Sequence, residues 1–558
     1  MSGAPVAPQS PLDPSSPRAA SRSIAPGAWY ALTLVALCNA MSLLDRNILA
    51  ILAPRIKADL KVGDAEMGLL YGTVFALFYA LFSLPLGRLS DGWMRNRILG
   101  LAIGFWSIAS GLAAFATGFG LLVLSRLGVG IGEAATAPAG TSIMYDYFPR
   151  ERRGLVMAVL AAAISFGLGL SFIIGGVAAD WWDARYAGGG APLNFSGWQF
   201  AFLVASIPGV ILAIFLWMMK EPVRGVKDGI PTPHDPAPFK ASGALLGTVT
   251  PGTNFLNLAA RKAGAKHWLA SIACIIVVIA VMAGLVHAAS AFSPRPSLNF
   301  AGVSVNPHVL QWLVVGFGTI VIFNLMQGLS LSDAPAFRLI AGSPSVLMIL
   351  GVGVCQTIIN YGVMGFTPTF LMQTYGESAT QTALRFGLMS GAVGIVGPMI
   401  SGPLSDFIAS RFPGIGRISV TLVSLGISPF IAIWVYSAPD ATSFYLRFAL
   451  YSVILTAWLP PLFAVLYELV LPRMRGIMAS TYLIVTTIFG LGTGPYVVGL
   501  ISDANGHNLG SAILTINLVG IPSVIMLICL CFRASKDQAL VLPRARDAGE
   551  PVAGDGRG

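Results

Sequence analysis

The 558 residues are 55% hydrophobic and only 10% charged, whereas a soluble domain carries about 25% charged residues. That excludes a water-soluble globular chain. The net charge of +10 does not point to nucleic acid, because the basic residues lie in loops between apolar runs, where positive charge orients a membrane protein.

Residues 1–27 are rich in Pro, Ser and Ala and lack the apolar core of a signal peptide, so they read as a disordered cytoplasmic tail. Apolar stretches of about 18 residues or more, the length that crosses about 30 Å of hydrocarbon as a helix, then recur. They fall near 28–50, 67–87, 97–119, 121–146, 154–179 and 198–219, at 268–292 and 309–331, and at 345–371, 383–405, 418–437, 443–469, 476–501 and 510–533. The fold class is therefore all-α and polytopic, with fourteen helices grouped six, two and six. The spacing predicts a first bundle over 28–219, a cytoplasmic linker over 220–267, an inserted hairpin over 268–344, a second bundle over 345–533 and a disordered cytoplasmic tail over 534–558. The bias of Lys and Arg places both termini on the cytoplasmic side of a cell membrane, the inner membrane if the cell is bacterial.

Three signatures of the first half return in the second at an offset of 315 to 323 residues. Gly87-Arg88-Leu89-Ser90-Asp91 returns as Gly402-Pro403-Leu404-Ser405-Asp406, Pro149-Arg150-Glu151-Arg152-Arg153-Gly154 as Pro472-Arg473-Met474-Arg475-Gly476, and Gly176-Val177-Ala178-Ala179-Asp180 as Gly499-Leu500-Ile501-Ser502-Asp503. An even number of spans separates the copies, so the halves are parallel repeats, the plan of a rocker-switch transporter.

The stretch Gly87-Arg88-Leu89-Ser90-Asp91-Gly92-Trp93-Met94-Arg95-Asn96-Arg97 resembles the loop 2–3 motif of the major facilitator superfamily. Gly87, Leu89, Asp91, Arg95 and Arg97 match it, while Gly92 and Met94 depart from it. Arg126-Leu127-Gly128-Val129-Gly130-Ile131-Gly132-Glu133-Ala134 resembles the fourth-helix motif, so the chain is similar to that superfamily over 28–533. Leu44-Asp45-Arg46, Gly130–Ala134, Lys220-Glu221-Pro222-Val223-Arg224-Gly225 and Gly494-Pro495 further resemble the Spinster-like branch. The resemblance implies export or exchange of amphiphilic or lipid-like anions, with proton coupling in bacterial members. It also implies that Gly87, Asp91, Arg95, Arg97, Arg126 and Asp406 belong to gating motifs, the two Asp residues meeting helix ends when the cytoplasmic side is closed.

Ionisable groups at bilayer depth are costly and mark function. Asp45 and Arg46 are adjacent, point about 100° apart on a helix and so need separate partners. They either join helix 1 to helix 4 or act in transport, Asp45 in proton coupling and Arg46 on the anion. Glu133 lies near mid-membrane, where burial favours the neutral acid and a nearby Arg favours the carboxylate, the behaviour of a proton carrier. On the seventh helix of the common plan, Gln356, Asn360 and Tyr361 are expected to supply neutral hydrogen bonds to substrate, or to join helices. Asn254–Lys262 fits an interfacial helix with basic flanks, but a flexible cytoplasmic linker with no special role is the stronger reading.

The five cysteines fall in apolar runs and the five histidines are scattered without a paired helical spacing, so no metal, cofactor or enzymatic site is expected. No Walker-type loop points to ATP. The expected partners are a small-molecule or lipid-like substrate, protons and membrane lipids, with the chain acting as a monomer. A proton symporter of a small soluble organic anion and a non-transporting membrane sensor are the competing readings.

Overall fold

A computed structural model describes residues 24–149, 152–224, 227, 236–300, 303–394, 396–412 and 414–550. Fourteen helices among them are long and apolar enough to cross a membrane. The first six are α1 (Ala28–Leu60), α2 (Asp64–Gly92), α3 (Arg95–Phe115), α4 (Phe119–Tyr147), α5 (Leu155–Arg185) and α6 (Gly197–Met218). The inserted pair is α7 (Ala265–Phe292) and α8 (Pro307–Ser332). The second six are α9 (Pro344–Tyr375), α10 (Ala379–Arg411), α11 (Gly416–Tyr436), α12 (Ala441–Glu468), α13 (Arg475–Ala504) and α14 (Leu509–Ala539). Every expected span is present, extended by polar helical turns that composition alone assigns to loops.

Helical regularity is broken inside several of the spans, α2, α4 and α13 among them. In α4 the regular helix ends at Glu133 and resumes at Thr136; Pro138 has no N–H for the Ala134 carbonyl, which loosens that turn. In α2 and α13, π-helical turns occupy Leu69–Thr73 and Thr487–Leu491, and such turns often mark functional positions.

The two bundles meet at the face away from the termini. There one apolar core runs through both, joining Ile48, Phe75 and Phe172 to Phe366, Phe386 and Ile513. Gly169 of α5 lies against Gly387 of α10, where an added Cβ would come within 2.7 Å of the Gly169 carbonyl oxygen, a close approach only small residues permit. Nearer the termini the second bundle has a core of its own, built on Ile349, Leu466, Met478 and Leu530. Leu155 and Met157 of α5 and Met399, Ile400 and Phe407 of α10 are exposed there. The molecule is thus closed at one face and parted at the other.

The inserted hairpin does not stand apart. A short antiparallel ribbon, Leu298–Phe300 with Val303–Val305, joins its helices, and α8 packs on both α2 and α13, with Phe317 against Leu81 and Ile322 against Ile484.

Two boundaries differ from the sequence-based expectation. The tail expected to be disordered from 534 is helical to Asp547, because Asp537 accepts from the Ser345 backbone N–H (3.0 Å) and hydroxyl (2.7 Å) and pairs with Arg544 (2.8 Å). Of the N-terminal tail, residues 1–23 lie outside the described residues, and Ala25 N–H donates to the Tyr147 carbonyl at 3.0 Å. The linker is partly ordered as well. Helix Pro238–Val249 lies along α2, with Ser242 Oγ donating to the Pro85 carbonyl at 2.6 Å, and the segment expected to be interfacial forms helix Thr253–Ala260.

Candidate functional site

Four charged side chains gather where α1, α3 and α4 cross. Arg46 Nη2 donates to Glu133 Oε2 at 2.6 Å, and the Glu133 side chain has no solvent exposure. Ser42, one turn before Arg46, donates to the same oxygen at 2.7 Å. The guanidinium also lies 4.4 Å from the Phe75 ring centroid and 5.4 Å from that of Tyr79, two α2 residues one turn apart. Such cation–π contacts hold a desolvated cation in place.

Asp45 turns the other way, as the 100° step requires. Its carboxylate accepts from Ser110 Oγ (2.7 Å) and Trp106 Nε1 (3.2 Å) on α3 and is fully buried. Arg126 donates to the Asp45 carbonyl at 2.6 Å and lies over Phe202 at 5.4 Å. Both oxygens of Asp45 are therefore satisfied, whereas Glu133 Oε1, Arg46 Nε and two guanidinium nitrogens of Arg126 are buried without a hydrogen-bond partner. Unpaired polar atoms are costly in a low-dielectric interior, and here they surround a single ion pair. The arrangement can exchange a proton at Glu133 and hold an anion at Arg46.

The second bundle faces this cluster through α9. Tyr361 lies within electrostatic range of Arg46, as does Tyr79. Gln356 is buried with its Oε1 unpartnered, while Asn360 is half-buried. So of the expected site residues, Asp45, Arg46, Arg126 and Glu133 come together, Tyr361 lies within electrostatic range of Arg46, Asn360 is next to Tyr361 in the chain, and Gln356 lies between one and two turns before it on the same helix.

The gating-motif residues make their contacts within their own bundle. Arg95, fully buried, pairs with Asp146 (2.5 Å) and Glu221 (2.7 Å) and donates to Ser142 Oγ (2.8 Å). Arg97 lies over Trp217 at 5.3 Å, and Gly87 lies against Pro138. Asp91 is exposed; its carbonyl and those of Ser90 and Trp93 receive Arg224, which caps the end of α2. Asp406 pairs with Arg417 at 3.0 Å, and Arg417 also reaches Glu468. These contacts suit a molecule parted at the terminal face.

Sequence reasoning passed over Ser42, Phe75, Tyr79, Trp106 and Ser110. Only the spacing of Phe75 and Tyr79, one turn apart on a lipid-length helix, carried a signal.

Fold and charged cluster together define the class, a two-bundle membrane transporter. Residues 35–333 match the family model of the Major Facilitator Superfamily, and the chain belongs to that superfamily. It is 24% identical over 523 residues to an MFS-type efflux pump of Mycolicibacterium smegmatis, covering 93% of this chain and 95% of that one. It is 34% identical over 193 residues to the sphingosine-1-phosphate transporter SPNS2 of Danio rerio, a match spanning 34% of this chain and 36% of that relative. Among solved structures it is similar to a bacterial homologue of the human lysosomal transporter Spinster in an inward-facing, unoccupied conformation. The TM-score there is 0.62 at 22% identity, covering 94% of this chain and 99% of that one.

Proposed function

We propose that this transporter moves an amphiphilic or lipid-like organic anion coupled to protons. Residues 28–219 rock against 345–533 about a site near mid-membrane, with both termini in the cytoplasm and no chemical conversion of the substrate. The observation that carries the reading is the buried Arg46–Glu133 pair with unpartnered polar atoms on either side. A substrate anion competes with Glu133 for Arg46, so protonation of Glu133 frees the guanidinium for substrate. Asp45 is the second proton-exchanging acid, linked to Arg126 through its own carbonyl. Gln356, Asn360 and Tyr361 supply neutral contacts from the opposite bundle. Protonation shifts the alternating-access equilibrium because it changes the contacts of these acids differently in the two states. In the described state the cytoplasmic side is open, and the gating contacts of Asp91 and Asp406 across the bundles form when it closes.

The test is proton movement in proteoliposomes holding a pH-sensitive dye, with sphingosine-1-phosphate as an amphiphilic anion and glucuronate as a soluble one. Proton flux that follows sphingosine-1-phosphate and is abolished by Glu133→Gln and Asp45→Asn supports the reading. Flux with glucuronate alone supports the soluble-anion symporter instead. Substrate movement unchanged in both variants refutes proton coupling through these acids.

A further inference from the structure

The third repeated signature, ending in Asp180 and in Asp503, has no part in the charged cluster around Glu133. Both residues lie at the closed face, and each reaches across to the other bundle. Asp180, on α5, accepts from the Thr380 backbone N–H (2.8 Å) and hydroxyl (2.5 Å) in the first turn of α10. Asp503, on α13, accepts from the backbone N–H groups of Asp64 (3.2 Å) and Ala65 (2.8 Å) in the first turn of α2. The two receiving turns correspond: Glu66 accepts from the Gly63 backbone N–H and Gln381 from that of Ser378, and only in the second does a side chain, the Ser378 hydroxyl, accept in return from the Gln381 N–H. A carboxylate at a helix N-terminus is favoured by the free N–H groups and the helix dipole. The closed face is therefore held by two pseudo-symmetric latches.

Each Asp is also met by an Arg, and here the symmetry breaks. Asp180 pairs with Arg55 of α1. The stretch 370–378, which the repeat offset brings to the place of Arg55, contains no Lys or Arg. Asp503 pairs instead with Arg295, from the connection between the two inserted helices. Arg295 also lies 3.7 Å from Glu66, and its guanidinium covers Gly63, where a side chain would collide with it. Lys57 pairs with Asp64, and His507 Nδ1 lies 3.1 Å from Asp503 and 3.5 Å from Asp64.

Deeper in the membrane the same hairpin touches both bundles again. The Gln311 amide donates to the Gly492 carbonyl at 2.8 Å and the side chain bonds Thr73, beside the two π-helical turns. His308 joins Tyr496 of α13 (2.6 Å) to the Ser293 carbonyl (2.8 Å). The contacts with Asp503, Glu66, Thr73 and Gly492 require α2 and α13 to be side by side.

We infer that the inserted hairpin is a strap that selects the state closed at this face, with Arg295 completing the second latch as Arg55 completes the first. The inference rests on the rocking of the two bundles but not on the substrate or on proton coupling. Its test therefore reads conformation in the full chain without substrate.

Hydrogen exchange is followed in fragments covering 60–68 and 377–383, which hold the two capped turns. Arg295→Gln is expected to speed exchange in both fragments by roughly tenfold, the effect of about 1.4 kcal/mol, because opening the face releases both latches together. Arg55→Gln is expected to do the same, and Arg295→Lys to stay near the parent. Gln311→Leu removes the deep anchor without touching the Arg295 cluster and is expected to accelerate both fragments, so it decides the matter if Arg295→Gln does not fold. Acceleration confined to 60–68, or none in either fragment, overturns the strap.

Discussion

Replacing Glu133 with Gln imitates its protonated form and tests the competition between Glu133 and substrate directly. In the structure Arg46 Nη2 is 2.6 Å from Glu133 Oε2, with the two side chains 14% and 0% exposed. Two unit charges about 4 Å apart attract by about 4 kcal/mol at the effective dielectric of a protein site. Gln retains a hydrogen bond to Arg46, worth about 1.5–3 kcal/mol when one partner is charged. The difference, about 1–2.5 kcal/mol, no longer opposes an incoming anion, so Kd falls by a factor of about 5 to 70. The assay is scintillation-proximity binding of sphingosine-1-phosphate to the full chain in nanodiscs at pH 5.5 and pH 8, comparing variant with parent at each pH to remove the titration of the phosphate. Relative to the parent, Glu133→Gln is expected to bind more tightly at pH 8 and similarly at pH 5.5. A variant that binds more weakly at pH 8, or that keeps the parent's pH dependence, refutes the competition.

Asp45→Asn places an amide NH2 among two donors, Ser110 and Trp106. It is expected to cost about 1–3 kcal/mol of stability, read as a lower midpoint in thermal unfolding followed by size-exclusion chromatography. Gly387→Val forces α5 and α10 apart at their closest approach, and is expected to raise the reactivity of a cysteine placed at Ser171 towards a water-soluble maleimide. An unchanged rate would mean the closed face tolerates the added bulk. Arg473, by hydrogen bonding, holds the Asp333 carboxyl and the Glu550 carboxyl below their usual range. A depressed carboxylate contributes stability at pH above its unfolded value, about 4, and loses it as pH falls through the folded one. As pH falls from about 4 through these depressed folded values, the 534–550 segment is therefore expected to approach the pepsin sensitivity of Arg473→Gln at the same pH. Parent and variant already alike at pH 5 would show that the tie does not hold the segment.

Much of this molecule is written along the chain. Runs of about 20 apolar residues cross a bilayer as helices whatever surrounds them, so the number and order of the fourteen spans and the six-two-six grouping were legible. The repeat was legible because parallel halves keep their signatures in register. Asp45, Arg46, Arg126 and Glu133 stood out because charge at bilayer depth is costly enough to need a reason. The C-terminal tail misled, since its polar composition says nothing of the Asp537 cap on Ser345, a contact 192 residues distant.

What the tertiary structure alone decided is partnership. Composition cannot tell that Arg46 turns to Glu133 while Asp45 turns to Trp106 and Ser110, because that depends on which helices cross beside α1. Nor can it tell that Arg295, an ordinary basic residue in a loop, stands where the second half lacks its counterpart of Arg55. A residue's hydrophobicity is a property of the chain, whereas the partner of a charge depends on distances between segments from about sixty to more than two hundred residues apart, and these exist only once the helices have packed.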